Sequence, residues 1–536
     1  RVFQPRQAPC APLRSRTVRT LRTAFDLLVG WPLQILVFGF VSEANAQLIP
    51  LADETVVNSY TTGQQTAPAI AADAAGNYIV VWESPPSPAS QTLAVRGQRF
   101  SATGTRLGDD FQVASSSNSD GLAPDVAMAP DGSFVVTWRE VDDGSFPRIA
   151  ARAFDSNGTA RSEPAFVDDG PQAGGGWGYQ YYYAGAPAVA AAQQGEFVVV
   201  WSAGIKSYSY FGFAREFTIR GRRVGASGSP TGEEVHVGAS GFYWAASPDI
   251  AEQAPGEFVV VWNEASYEYG YDDSGDYIRI RSFDVEGRVV DQDGAPTSDV
   301  FIVSPDSYRG TSVATDAAGN FVVAWPRLSE DTGYRVYARR FDATGAPSTS
   351  ALRVDSGATG TTGKPTSAGQ YGARVAMTGD GHFAVVWSEG GAGYKGNTDG
   401  DATGVFGRTF EPNGSPQGPE RTLNAQTAGA QQAPSIVFGS DQSLAVTWQS
   451  EDRDGSGFGI AARRFARTAP CGDATVDGAT SASDALLALQ TAVGTRECAA
   501  CICDVNDSGA ITVVDALAIL HAGLGAGSVG LCPACP

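Results

Sequence analysis

The sequence predicts a mainly β protein: a seven-bladed β-propeller whose last blade is completed by an N-terminal strand, followed by a small α-helical module. Two observations carry this prediction. Tryptophan returns seven times at intervals of 56 to 63 residues, as Trp82, Trp138, Trp201, Trp262, Trp325, Trp387 and Trp448. Each closes a short apolar, β-branched run such as Phe197-Val-Val-Val-Trp201, and self-similarity at a fixed period denotes an array of equal supersecondary units. The ends of the array are also complementary. The seventh unit stops after its third strand, Ile460 to Phe465, while Glu54 to Ser59 reads as a spare fourth strand ahead of the first unit. An N-terminal strand added to the last unit closes the ring and removes exposed edges.

Each unit reads as four strands, A to D. In the first, A is Pro68 to Ala72, B is Asn77 to Trp82, C is Leu93 to Phe100 and D is Asp110 to Ala114. Gly, Asp, Asn or Pro bounds each run, as strands require. Six residues before the Trp stands a glycine in six units (Gly76, Gly132, Gly195, Gly256, Gly319, Gly381), the signature of an A–B hairpin turn with positive φ. Strand B is apolar on both faces, so each sheet must be covered on both sides. Near the end of strand C an arginine recurs: Arg152, Arg222, Arg281, Arg339, Arg408 and Arg463, with Gln98 in the first unit. Recurrence in six units argues for a structural role, because a functional site would break the repeat.

The chain divides into 1–46, 47–466, 467–471 and 472–536. The first segment has a basic stretch (Arg14 to Arg22), an apolar run (Leu27 to Val41) and Ala44-Asn-Ala46, the pattern of a secretory signal. An uncleaved anchor is the competing reading; with cleavage no membrane span remains. Net charge is −21 and Lys occurs three times (Lys206, Lys364, Lys395), which excludes nucleic acid as a partner. Apart from Cys10, the cysteines (Cys471, Cys498, Cys501, Cys503, Cys532, Cys535) fall in the last segment. In an exported module they imply a disulfide framework with 15 possible pairings. Cys498-x-x-Cys501 and Cys532-x-x-Cys535 keep a zinc site open as the alternative.

The last segment contains two loops with oxygen side chains at positions 1, 3, 5, 9 and 12. They are Asp473, Thr475, Asp477, Ser481 and Asp484, then Asp504, Asn506, Ser508, Thr512 and Asp515. Gly478 and Gly509 stand at position 6, and the carbonyls of Ala479 and Ala510 supply position 7. This is the spacing of a calcium loop, which gathers six to eight hard oxygens on a tight turn. Two calcium ions are expected. The pair, from Gly472 to Gly525, resembles a dockerin module: two calcium loops, each followed by a helix, with Asp at position 12. Thr475 and Ser508 depart from its stronger ligands. At positions 10 and 11, where dockerins of cellulosomes usually carry hydroxyl pairs for cohesin binding, stand Ala482-Ser483 and Val513-Val514. The resemblance implies a calcium-stabilised docking role with a cohesin-like partner. The Trp units resemble the Phe-Val-Val-x-Trp repeats of large secreted bacterial proteins.

Aromatic residues crowd the connections of the third and fourth units, where eleven of 18 Tyr fall between 179 and 277. Trp177, Tyr179, Tyr208, Tyr210, Tyr243, Trp244, Tyr267 and Tyr269 are the candidate patch for a glycan or a cell-surface protein. The plainer reading is a small core within long loops. Three acidic loops (Asp272 to Asp276, Asp399 to Ala402, Asp452 to Gly457) are calcium candidates or solvated turns. His236, His382 and His521 lie far apart, which leaves little for a histidine-based site. Glu264 and Glu268 are the candidate carboxylate pair. The first functional reading is therefore a secreted binding or adhesion protein. The alternative is a polysaccharide-active hydrolase or lyase, since dockerin-like modules often accompany glycan-degrading enzymes.

Overall fold

The computed structural model describes residues 48–536 apart from 87–91, 117–120, 142–145, 171–178, 193–194, 210–211, 242–244, 272–276, 308–309, 330–332, 357–371, 391–402, 467–471, 473, 475–479, 497, 499, 507 and 525–536. The chain divides into two compact units, 1–43 and 44–536. The first, which includes most of the signal-like segment, lies outside the described residues.

The strands form seven antiparallel sheets, one for each Trp unit. Six contain A, B, C and D of a single unit. The seventh contains A (Gln431–Phe438), B (Leu444–Glu451) and C (Phe458–Ala466), and takes two N-terminal strands, Ile49–Pro50 and Thr55–Val56, on its outer edge. Ile49 pairs with Ala466 and Thr55 with Ala462. The ring closes as the sequence predicts, with the pairing beginning a few residues earlier. Beyond Val56 a side chain continues it: Asn58 Oδ1 accepts from Ile460 N at 2.8 Å.

The core is a ring of inter-blade interfaces, because strand B alternates its sides. Trp82, Val80 and Tyr78 pack with Ala445, Ile460 and Ala462 of blade 7. Ile79 and Val81 pack with Phe134, Val136 and Trp138 of blade 2. All seven indoles are at most 1% exposed, and each large apolar side chain so buried contributes about 1.5–3 kcal/mol. The six turn glycines have φ between +78° and +92°, and in blade 7 Gln442 takes φ +60° at the same place.

The strand-C arginines staple neighbouring blades. Arg152 Nε donates to Ser162 O at 2.8 Å, and its Nη1 donates to Val113 O of blade 1 at 2.7 Å. Arg222, Arg339, Arg408 and Arg463 repeat the bond to the preceding blade. In blade 4 Arg288 makes both bonds, donating to Ser298 O at 2.7 Å and Val237 O at 3.0 Å, while the Arg281 side chain lies outside the described residues. Strand C there runs from Tyr277 to Asp291 and pairs Arg288 with Val260. Arg281-Ser-Phe283 imitates the repeat seven residues early, and the motif's Phe is Val290.

Blades 3 and 4 are drawn out. In blade 3, A, B and C (Tyr179–Ala191, Phe197–Ser209, Gly212–Val224) have 13 residues each. In blade 4, B and C (Glu257–Tyr271, Tyr277–Asp291) have 15 each. Strand B of blade 1 has seven (Tyr78–Ser84). Much of what reads as aromatic loop is thus β-ribbon. Stretches such as Tyr267-Glu-Tyr269 have strand periodicity and propensity. The added length at about 3.3 Å per residue projects the ribbons roughly 20 Å beyond the blade.

The last segment forms helices α1 (Ala482–Ala492), α2 (Ala500–Cys503) and α3 (Val513–Gly523). Their core of Ala485, Ala488, Ile502, Val505, Ala516 and Ile519 also takes in Ile49 and Ala466. The N-terminal strap therefore closes the ring on one side and seats the helices on the other. Cys498 is disulfide-bonded to Cys503, which removes Cys498 from the zinc alternative. Among the described residues no helix is long and apolar enough to cross a membrane.

Candidate functional site

Strand A lines the propeller axis, and one position on it differs between blades. It pairs with the residue before each Trp and is Ala69, Asp125, Ala188, Asp249, Ser312, Arg374 and Ser435 in blade order. The next residue is always Ile or Val, and the one after is Ala in six blades. One variable position, polar in five of the seven blades, stands inside a constant frame. Sequence reasoning missed it, although a break in the repeat is the mark of function it had named.

The frame holds these side chains still. Asp125 Oδ2 accepts from Val189 N of blade 3 at 2.8 Å. Asp249 Oδ1 accepts from its neighbour Ile250 N at 3.0 Å, and Oδ2 from Val313 N of blade 5 at 2.9 Å. Ser312 Oγ accepts from Val375 N of blade 6 at 3.3 Å. Two residues earlier the backbone is left-handed at Ala67 (φ +51°), Ala123 (+45°), Ser247 (+53°) and Ala433 (+52°), a strain that persists only where surroundings over-determine it. The residue after the Trp supplies that restraint. Glu83 Oε1 accepts from Leu122 N and Ala123 N, both at 2.6 Å. Gln449 Oε1 accepts from Ala67 N at 3.1 Å, and Asn263 Oδ1 from Gly310 N at 3.2 Å.

The axial electrostatics are asymmetric. Burial first, and the nearby Asp249 second, push the Asp125 carboxyl up to about 7 against the pull of the Val189 and Val126 amides and of Arg374. Asp125 and Asp249 are partly buried, and Arg374 is exposed on the inner strand Arg374–Met377. Among the described residues no carboxylate lies within ion-pair distance of Arg374. An acid that is half-protonated near neutrality, within electrostatic reach of a second carboxyl group, is one that general acid–base chemistry can use.

A second perturbed carboxyl lies in blade 4. Two residues after the Trp, Glu140 and Glu389 accept the indole N–H, each at 3.2 Å. Glu264 at that place has Oε2 buried without a partner. Burial, then Glu286 and Asp284, raise its carboxyl to about 8. The Glu268 side chain lies outside the described residues, so Glu264 is seen with Asp284 and Glu286 instead. His382 sits on the opposite, A–B turn face between Asp380 (3.1 Å) and Glu411 (2.9 Å), and His236 Nδ1 meets Thr218 Oγ1 at 2.9 Å.

Of the aromatic patch, Trp177, Tyr210, Tyr243 and Trp244 lie outside the described residues, and Tyr179, Tyr208, Tyr267 and Tyr269 are described in backbone only. Tyr179 and Tyr208 are cross-strand partners. Of the acidic loops, 452–457 is described. Arg453 reaches Glu54 Oε1 at 3.2 Å, and Asp454 Oδ2 accepts from Asn58 Nδ2 at 2.6 Å. This loop clasps the N-terminal strap.

In the first calcium-type loop Asp473, Thr475, Asp477 and Ala479 lie outside the described residues. Ser481 caps α1, and Asp484 returns a bond to the Ser481 amide at 2.7 Å. The second loop is described except for residue 507. Asp504, Asp484 and Asp515 are fully buried. Burial pushes Asp504 up, but the Ser508 and Gly509 amides outweigh it and hold the carboxyl below its usual value. Asp515 Oδ2 accepts from the Thr512 amide at 2.8 Å, whereas Oδ1 is buried without a partner. An orphaned carboxylate oxygen in a loop of hard oxygens fits a calcium ion. Among the described residues no three His, Cys, Asp or Glu converge on one point, so any cage there draws on amide, hydroxyl and carbonyl oxygens as well.

No family model matches the chain, and no curated protein does. Solved structures do. A polysaccharide lyase, Uly1, superposes with TM-score 0.43 at 10% identity, covering 78% of this chain and 100% of that one. An α-L-arabinanase of Penicillium chrysogenum gives TM-score 0.38 at 13% identity, covering 78% and 98%. A Dyadobacter fermentans protein of unknown function gives 0.41 at 13%, covering 65% and 94%. Superpositions this loose carry no assignment of activity.

Proposed function

We propose that the protein is an exported polysaccharide-cleaving enzyme with its chemistry on the propeller axis, and with a calcium-held docking module at its C-terminal end. One observation carries the reading. Asp125 holds the axial strand position that Asp249 holds in blade 4, is pinned by the Val189 amide, and is pushed up to about 7 by burial and by the charge of Asp249. Asp125 protonates the departing glycosidic oxygen. Asp249 acts as the base, taking a proton from the water whose oxygen bonds to the anomeric carbon as the glycosidic C–O bond breaks. Fixed amide bonds to both carboxyl groups keep them oriented without reorganisation during the reaction. The tyrosine-rich ribbons of blades 3 and 4 flank the substrate as stacking surfaces for sugar rings. This reverses the order of the two functional readings, because the acid–base pair that the sequence did not display is supplied by two blades far apart in the chain.

In the module, Asp504, Asn506, Ser508, the Ala510 carbonyl, Thr512 and Asp515 would hold one ion, and the matching residues from Asp473 to Asp484 the other. Calcium there supplies stability to a small core. Seven of the ten exposed large apolar side chains of the described residues lie on or at the ends of its two long helices: Leu486, Leu489, Val493, Val513, Val514, Leu517 and Leu524. Those exposed apolar side chains support docking to a cohesin-like partner, through contacts other than hydroxyl pairs.

The test is product analysis on a panel of polysaccharides, with wild type, Asp125→Asn and Asp249→Asn. New chain ends from wild type, reduced at least 100-fold in both variants, are expected. Binding without new ends would return the protein to the adhesion class, and full activity in the variants would move the chemistry elsewhere.

A further inference from the structure

The axial ring also bears on the charge of the substrate. Nine arginines of the described blades have structural partners: Arg152, Arg222, Arg288, Arg339, Arg408 and Arg463 bond to carbonyls between blades, and Arg148, Arg340 and Arg353 pair with aspartates. Arg374 differs. It is exposed, it stands on the innermost strand of blade 6, and its strand position is the one occupied by Asp125 and Asp249 in blades 2 and 4. Its charge reaches Asp125.

A cation at this position has no packing reason, since Ala69 and Ala188 serve two other blades. Nor does a neutral sugar call for one. Two aspartates alone would repel an acidic chain, all the more in a protein of net charge −21. A guanidinium across the axis reverses that at one point, and its planar fork matches a carboxylate or sulfate in two parallel bonds. Accepting the axial site as the place of cleavage, we infer that the substrate is an acidic polysaccharide, whose uronate or sulfate group is held by Arg374 while the scissile bond lies at Asp125.

The experiment uses the full chain and four probes: polygalacturonate, its methyl-esterified form, dextran sulfate and dextran. Affinity for each is measured at low and high salt for wild type, Arg374→Ala and Arg374→Lys, and chain cleavage is scored on the same samples. Wild type should bind one acidic probe at least tenfold more tightly than its neutral counterpart, with affinity falling as salt rises. Arg374→Ala should remove that preference, and Arg374→Lys should restore part of it, while both melt with wild type. Preference for polygalacturonate identifies the anion as a uronate, and preference for dextran sulfate as a sulfate. Equal affinity for acidic and neutral chains, or an unaltered preference in Arg374→Ala, overturns the inference. Its failure is separable from that of the axial reading. Cleavage of neutral chains alone refutes the acidic substrate and keeps the enzyme. Arg374-dependent binding of an acidic chain without cleavage does the reverse.

Discussion

Replacing Asp125 by Asn should flatten the dependence of stability on pH. The native carboxyl holds its proton up to about 7, against a value of 3.8 for the unperturbed group. Between about pH 4 and pH 7 the folded protein therefore binds more protons at this site than the unfolded chain. Stability must fall as pH rises through that window, and level off above it. The full shift corresponds to at most about 4 kcal/mol. Asp125 is half-buried, so solvent relaxation brings the working figure to about 1–2 kcal/mol. The asparagine side chain would still offer an oxygen to Val189 N, so the hydrogen bond persists while the ionisation disappears. In a ring of this size 1 kcal/mol moves Tm by about 1–2 °C. Calorimetric melts at pH 5 and pH 8 should show a difference smaller by about 2 °C in Asp125→Asn than in wild type. Glu264 titrates in the same sense but is present in both proteins, so it cancels. An identical pH difference in the two proteins would refute the assignment of a high-pKa acid on the axis, and the acid–base reading with it.

Three further outcomes follow from the geometry. Arg288→Met should lower stability by about 3 kcal/mol, through two charge-assisted bonds lost and two carbonyls left unpaired, whereas Arg281→Met should stay within about 0.5 kcal/mol; denaturant titration of both variants checks the register of blade 4. Ile49→Asp buries a charge between strap and helices, so it should destabilise the ring and loosen α1 and α3 together, as read by hydrogen exchange. Asp504→Ala with Asp515→Ala should remove one of two calcium ions in calorimetric titration of the intact protein, and an unchanged stoichiometry would refute the second loop as a site.

Much of the architecture was legible because it repeats. A Trp and a turn glycine in fixed relation specify strand, turn and two-sided burial locally, so each unit announces itself several times. Arg281 was misplaced because identification rested on a three-residue pattern, whereas the staple is defined by cross-strand register, which an extended strand shifted by seven residues. The axial set was hidden for a related reason. Asp125, Asp249 and Arg374 are separated by well over a hundred residues of sequence, and no window along the chain contains two of them. They converge because strand A of each blade faces one axis. In contrast, each calcium-type spacing is displayed by a single stretch of sequence, since all its oxygens lie within twelve consecutive residues. Glu264 was singled out for its tyrosine neighbours, but the feature that distinguishes it is an oxygen left without the indole partner its counterparts have.

The strap has a consequence for how the chain comes to be folded. Thr55 Oγ1 donates to Ala462 O across 407 residues of sequence. Bringing such distant segments together costs about 5 kcal/mol of chain entropy, and the cost falls on the final step. Synthesis delivers strand 55–56 first and its partner near the end. Until Phe458–Ala466 emerges, six blades stand as an open arc, with one raw flank on blade 1 and another on the growing end. The molecule passes from arc to ring in a single late event, and the helices that follow at once cover the join. Truncation anywhere before residue 458 would therefore release not a smaller propeller but an arc with both flanks bare.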